Sequence, residues 1–277
     1  MSDHTEVLSD EEAPKPLFRE RLKTPSGKLW LAVFGVFVVM TIVLLVFGWW
    51  WPTASLPQSS STTMNAVRTT MLVFSLAAAP VMALVWAIAY YSLRHWGHGG
   101  DTPPEDGPPI RGNNKVAITW ILVSSVLTAF LLIWGLAAMS ADAISPTATP
   151  VIVEVTGQQW LWSFDYPENG KIGTDDLYLP VNKPVVFKVS STDVIHSFWL
   201  PQMGIKVDAN PGVTTTTSTT PTRIGTFDVR CAELCGLNHA FMQTHVHVLS
   251  VADYNAWIES QGGKISPATA AGSNNNG

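Results

Sequence analysis

Three runs without a charged side chain constrain this chain more than any other feature. They are Leu29 to Trp51, Thr69 to Ser92 and Val116 to Met139. The first covers 23 residues. At about 1.5 Å per residue, a helix of that length spans about 34 Å, enough to cross a hydrocarbon core of roughly 30 Å. Lipid offers no partners to backbone N–H and C=O groups, so such segments fold as helices that satisfy those groups internally. Trp49, Trp50 and Trp51 close the first run and Tyr90 and Tyr91 the second, as aromatic anchors at a membrane interface do. Pro80 interrupts the second run and predicts a kink. Charged residues are only 13% of the chain, against about 25% in soluble domains.

Orientation follows from the Lys and Arg of the connections. Residues 1–28 hold Lys15, Arg19, Arg21, Lys23 and Lys28, and the second connection holds Arg94, Arg111 and Lys115. The first connection has only Arg68. The tail 1–28 and the second connection are therefore expected in the cytoplasm, and the first connection and everything after the third span outside it. The first run is longer than the about 7–15 apolar residues of a signal peptide. It is read as a retained span, giving transmembrane helices at 29–51, 69–92 and 116–139.

After Ala148 the pattern changes. Val151 to Thr156, Asp176 to Leu179, Val185 to Val189, Val213 to Thr220, Gly225 to Val229 and Thr244 to Val251 read as short β-rich runs separated by Pro, Gly and Asn. Several such runs predict a sandwich or barrel. Ser250 and Asp253 form a capping-box pattern ahead of a short helix that would bury Val251, Tyr254 and Ile258. A folded domain is expected over 149–260 and a disordered tail over 261–277, which is poor in apolar residues. The formal charge of −5 falls on this half, where seven basic face twelve acidic side chains beyond residue 140. An acidic face would steer a basic partner; no nucleic-acid partner is expected.

The chemistry is concentrated in Cys231-Ala-Glu-Leu-Cys235-Gly-Leu-Asn-His239-Ala-Phe-Met242, which holds both cysteines of the chain. Thiolate, imidazole and thioether are ligands that suit copper. A mononuclear blue-copper site uses one Cys, two His and a weak Met, so this loop has one thiolate too many. Two cysteines four residues apart can bridge two ions. A structural disulfide and a zinc site of Cys231, Cys235, His239 and His196 are the competing readings. His245 and His247 share a strand face two residues apart, but with nothing else converging on them they read as structural or exposed.

The loop, together with Asp193-Val-Ile-His196-Ser-Phe-Trp-Leu-Pro201, resembles subunit II of the haem-copper cytochrome c oxidases. The likeness extends through Gly157-Gln-Gln-Trp160-Leu-Trp162-Ser-Phe-Asp-Tyr166 and Gly204-Ile-Lys-Val-Asp208-Ala-Asn-Pro-Gly212. The resemblance implies a helical hairpin, here the second and third spans, followed by a cupredoxin-like Greek-key β-barrel. It implies a dinuclear copper centre, CuA, with Cys231 and Cys235 bridging, His196 and His239 terminal, and Met242 and the Glu233 carbonyl as weak ligands. The Glu233 carboxylate would help to bind magnesium at the boundary with subunit I. Trp160 matches the electron-entry tryptophan, and Asp165, Asp193 and Asp208 are candidates for docking cytochrome c. Electrons would pass to haem in subunit I, where oxygen is reduced to water with proton translocation.

Departures from the family pattern fall at Ala117, where a glutamate commonly serves proton entry, and at Gln158 and Leu161 beside Trp160. A copper subunit of a nitric oxide reductase and a membrane-anchored copper- or zinc-binding module without electron transfer are the alternatives.

Overall fold

The computed structural model describes residues 25–96, 112–141, 149–170 and 172–270. The expected cytoplasmic tail up to residue 24, most of the second connection and residues 271–277 lie outside the described residues. The chain divides into two compact units, Met1–Trp49 with Ser75–Arg111, and Trp50–Phe74 with Gly112–Gly277.

Helices α1 (Pro25–Ser55), α2 (Thr62–Trp96) and α3 (Asn114–Ala141) contain the three apolar runs. Each is long and apolar enough to cross a membrane. Each also extends past its uncharged run at both ends, α1 even through Pro52. Within the first unit α1 and α2 approach closely. A Cβ on Gly48 would sit 3.3 Å from that of Ser75 and 3.4 Å from its carbonyl.

Among the described residues of the second unit, ten strands build two five-stranded sheets. One sheet holds β1 (Val151–Gln158), β2 (Leu161–Tyr166), β3 (Ile172–Thr174), β5 (Val185–Ser191) and β8 (Thr215–Thr219), in the order β3-β2-β1-β5-β8. The other holds β4 (Leu177–Pro180), β6 (His196–Leu200), β7 (Ile205–Ala209), β9 (Gly225–Cys231) and β10 (Gln243–Leu249), in the order β4-β10-β9-β6-β7. β1 runs parallel to β5, and β4 parallel to β10. Strands distant in sequence therefore lie side by side, in a cupredoxin-like sandwich.

Alternation sets the core. Val151, Val153 and Val155 point inward from β1, Trp162, Phe164 and Tyr166 from β2, and Val185, Phe187 and Val189 from β5. They meet Phe198, Leu200, Val229, Val246 and Val248 of the second sheet. A period of two puts one apolar face against the other and leaves polar residues outside.

The six expected strand regions are all strand in part, but β2, β3, β6 and β7 were not anticipated. β6 is buried on both faces except at Trp199, so it shows no alternation. Val251 is not strand. It opens helix α4 (Val251–Ser260), which Ser250 caps by accepting from the Asp253 N–H, and which buries Tyr254 and Ile258.

The expected disorder beyond residue 260 does not hold for 261–270. The Lys264 N–H donates to Asn169 O and the Asn169 side chain to Lys264 O, and α5 (Pro267–Ala270) buries Ala268 and Thr269. Backbone hydrogen bonds and small side chains pack this stretch, a source of order that low hydrophobicity does not reveal.

The connection between α1 and α2 is strapped to the β domain. Ser60 N–H and Oγ both donate to Gln202 O, Ser61 Oγ donates to Met203 O at 2.7 Å, and Thr62 N–H donates to Thr220 O. Met64 is buried beside Gly204, whose φ is +68°. This strap can form only if the first connection and the β domain share one side of the membrane, as the Lys and Arg distribution requires.

Candidate metal centre

The sulfur-bearing loop leaves β9 at Cys231 and returns through Met242 to β10. Two backbone bonds close it: Cys231 N–H donates to Met242 O, and Ala232 N–H donates to Ser197 O. The second ties the loop to β6, whose first residue is His196. Tertiary pairing of β6 with β9, Phe198 opposite Cys231, thus unites segments 35 residues apart.

The donors converge. Cys231 Sγ lies 3.8 Å from Cys235 Sγ. His196 Nδ1 is 3.9 Å from Cys231 Sγ, and His239 Nδ1 is 3.5 Å from Cys235 Sγ. Met242 Sδ is 3.7 Å from Cys235 Sγ, and Glu233 O is 3.3 Å from Cys231 Sγ. Among the described residues His196, Cys231 and Cys235 are the group of His, Cys, Asp and Glu whose ligand atoms all lie within 4.8 Å of one another. A metal–sulfur bond is about 2.3 Å, so sulfurs 3.8 Å apart can both reach one ion. The donor chemistry and the spacing fit copper.

His196 is fully buried and held on three sides. Its Nε2 is 2.9 Å from Asp193 Oδ1. Trp162 packs edge-on at 6.0 Å between ring centres. Gly157 leaves room for the ring, since a Cβ there would meet His196 Cδ2 at 3.0 Å. A proton on Nε2, held by the carboxylate, leaves the Nδ1 lone pair facing the sulfurs, as a metal-ligating imidazole requires. Asp193 also accepts from the Gln159 N–H at 2.7 Å and the Val194 N–H. Burial raises its pKa, but the Gln159 N–H, His196 and the Val194 N–H outweigh that and hold the carboxyl down at about 2. Burial and the neighbouring Cys231 push the Cys235 thiol up to about 11. A metal must therefore displace protons to bind here.

Trp160 sits against the loop. Its Nε1–H donates to Cys235 O at 3.2 Å, and Gln159 Nε2 donates to the same oxygen at 2.8 Å. Gly236, at φ +114°, permits this approach, because a Cβ would lie 3.0 Å from Gln159 Nε2. Around the loop Leu234, Leu237 and Phe241 are 78%, 89% and 76% exposed.

The structure brings together His196, Cys231, Cys235, His239, Met242, the Glu233 carbonyl, Trp160 and Asp193. The Glu233 side chain is exposed. Asp208 is exposed on β7, one residue before Ala209, the partner of His196. Asp165 lies four residues along β2 from the loop side, about 13 Å further down the sheet, and is not part of this cluster. The positioning roles of Asp193, Gln159 and Gly157 were not visible in the sequence. Gln159 and Gly157 flank the matched tryptophan, but only the fold shows what they touch.

A cupredoxin-like domain carrying a His/Cys/Cys/Met copper-binding cluster, attached to membrane-spanning helices, defines a membrane-anchored copper protein. Comparison with known proteins narrows this. Residues 172–249 match the family "cytochrome C oxidase subunit II, periplasmic domain". Cytochrome c oxidase subunit 2 of Cereibacter sphaeroides is 33% identical over 58% of this chain and 67% of its own length. That of Alkalihalophilus pseudofirmus is 32% identical over 72% of this chain and 59% of its own. The periplasmic domain of subunit II of cytochrome oxidase of Bradyrhizobium japonicum is 35% identical, covering 43% of this chain and 97% of that one, with a TM-score of 0.41. The chain belongs to the cytochrome c oxidase subunit II family, and its β domain is the family's periplasmic domain. The match spans about 60% of the length of the first curated relatives, 59% and 60%.

Proposed function

We propose that this chain is the electron-accepting subunit of a cytochrome c oxidase, with a dinuclear copper centre between Cys231 and Cys235. The observation that carries the reading is the thiol pair, 3.8 Å apart, with two imidazoles, a thioether and a carbonyl each within 3.3–3.9 Å of one sulfur or the other. One tetrahedral ion would leave two of these six donors unused. Two ions sharing both sulfurs would use all six, with four bonds each. When bound, such a pair supplies one-electron transfer with little change of geometry, because one charge is spread over both ions.

The chain's own residues serve that task. β6 and β9 hold the loop rigidly against the sheet. Asp193, Trp162 and Gly157 fix the His196 ring. The buried Met242 and Cys235 keep water from the inner side of the loop. Trp160 offers a path inward, since its indole N–H bonds to the carbonyl of a ligating residue, and the same loop exposes Leu234, Leu237 and Phe241. Exposed apolar side chains of this kind suit a contact surface, here for a c-type cytochrome, and Asp208 is exposed on β7. Asp193 is turned toward His196 and Asp165 lies off the site, so the contact is mainly apolar. Electrons would continue to haem in subunit I, where oxygen is reduced to water with proton translocation. The exposed Glu233 carboxylate is one oxygen ligand for magnesium, whose other ligands subunit I would provide.

Metal analysis of the full-length chain in detergent tests this. Two coppers per chain with strong visible absorption are expected, and Cys231→Ser should lose both ions and the colour. One ion per chain, or colourless zinc protein, would overturn the dinuclear reading.

A further inference from the structure

The outer face of the second sheet carries a cluster that the copper centre does not use. β4 runs parallel to β10 with Leu177 beside Val246 and Tyr178 beside His247. This register puts Asp176, the residue before β4, level with His245, and leaves His247 two residues further along the same face. Asp176 thus comes within reach of both imidazoles, although the two rings stand apart from each other, where the sequence offered only a pair of histidines.

The carboxylate is already oriented. Asp176 Oδ1 accepts from the Thr244 hydroxyl and from the His245 backbone N–H at 3.2 Å. Its Oδ2 is turned to His247 Nε2, 3.2 Å away. On the far side of that ring, Nδ1 is 3.1 Å from Thr226 Oγ1, and Tyr178 stacks on its face at 4.8 Å. When Nδ1–H donates to Thr226, Nε2 presents a lone pair to a carboxylate oxygen. A cation between them removes that repulsion, and donor atoms 3.2 Å apart have the separation of two ligands on one tetrahedral ion with bonds of about 2.0–2.2 Å. An imidazole locked by a hydrogen bond at its other nitrogen is the usual arrangement at such sites.

His245 completes the set. Its Nδ1 is 4.0 Å from Asp176 Oδ1, its side chain is 61% exposed, and its ring centre is 6.3 Å from that of His247. Ligation of one ion by both rings requires them to close by roughly 1 Å, and rotation of an exposed side chain supplies this. Asp228, opposite His245 on β9, is paired with Arg230 at 2.9 Å and is not part of the set.

We propose that Asp176, His245 and His247 form a second metal site, separate from the cysteine cluster, that binds a borderline divalent cation such as zinc. Two imidazoles and one carboxylate, without a thiolate, favour zinc over magnesium. The ion would clamp β4 to β10, and since the unfolded chain lacks the site, it would stabilise the folded domain.

The test is calorimetric titration of Zn²⁺ into the copper-loaded full-length chain in detergent, with Mg²⁺ as the control ion. One zinc per chain is expected, with no comparable magnesium uptake and a higher melting temperature in zinc. His247→Gln and Asp176→Asn should each weaken zinc binding about tenfold or more, and His245→Gln should weaken it measurably. All three should keep the visible absorption of the copper centre. Zinc uptake unchanged in His247→Gln and His245→Gln, equal uptake of magnesium, or no zinc bound beyond the copper cluster would each overturn the proposal. The last outcome leaves the cluster as a hydrogen-bonded pair of Asp176 and His247.

Discussion

Replacing Asp193 should loosen the copper centre without touching a ligand. His196 is fully buried, and its Nε2 has Asp193 Oδ1 at 2.9 Å. Asp193→Ala removes the group that keeps the proton on Nε2 and leaves the Gln159 N–H without its acceptor. Losing such an outer partner lowers metal affinity about 10–100-fold, which is about 1.4–2.7 kcal/mol. Asp193→Asn should lie between this variant and the parent. Its amide oxygen can still accept from Nε2–H, but its NH₂ then faces the Gln159 N–H, donor against donor. The assay is competition with a copper chelator, followed by the visible absorption of the thiolate-bound metal, with melting temperature as the check on folding. Asp208→Asn is the control, because that side chain is exposed on β7 and should leave retention unchanged. If Asp193→Ala holds copper as tightly as Asp208→Asn, the carboxylate does not position His196 and the account of the site's rigidity fails.

Two further perturbations probe separate parts of the argument. Trp160→Phe removes the hydrogen bond to Cys235 O and, on the proposed function, should slow electron entry from cytochrome c, measured by stopped flow, while the copper content stays that of the parent; an unchanged rate would remove Trp160 from the path. Gly204→Ala should unseat the strap, because its Cβ would lie 2.9 Å from Met64 Cα at a φ of +68°. The left-handed backbone alone costs about 1–2 kcal/mol, so faster hydrogen exchange over residues 58–64 and a melting point lower by several degrees are expected. Exchange identical to the parent would show that the contact with Gly204 does not hold the strap.

Local pattern made the membrane spans and the metal loop legible. An uncharged stretch of 23 residues has few alternatives to a helix in lipid, and Cys231, Cys235, His239 and Met242 lie on one short loop whatever surrounds it. The strands were legible where one face is buried and the other wet, as in β1 and β5. They were not legible at β6, where His196, Ser197, Phe198 and Leu200 are all buried and no alternation remains. The order over residues 261–270 is not legible because it rests on hydrogen bonds between Asn169 and Lys264, residues far apart in the chain.

The amino-acid order by itself determined which segments enter the membrane, which way they face and which atoms can bind a soft metal. These depend on composition over one or two turns, on charge beside a span, and on the chemistry of single side chains. Only the tertiary structure decided that His196 would reach the cysteine loop, that Asp193 would hold its ring, and that Asp176 would stand beside His245 and His247. The first and third of those meetings are made by pairing between strands remote in sequence, and the second by the turn that leads into β6. Such pairing depends on how two apolar faces pack together, which no local stretch of the chain specifies.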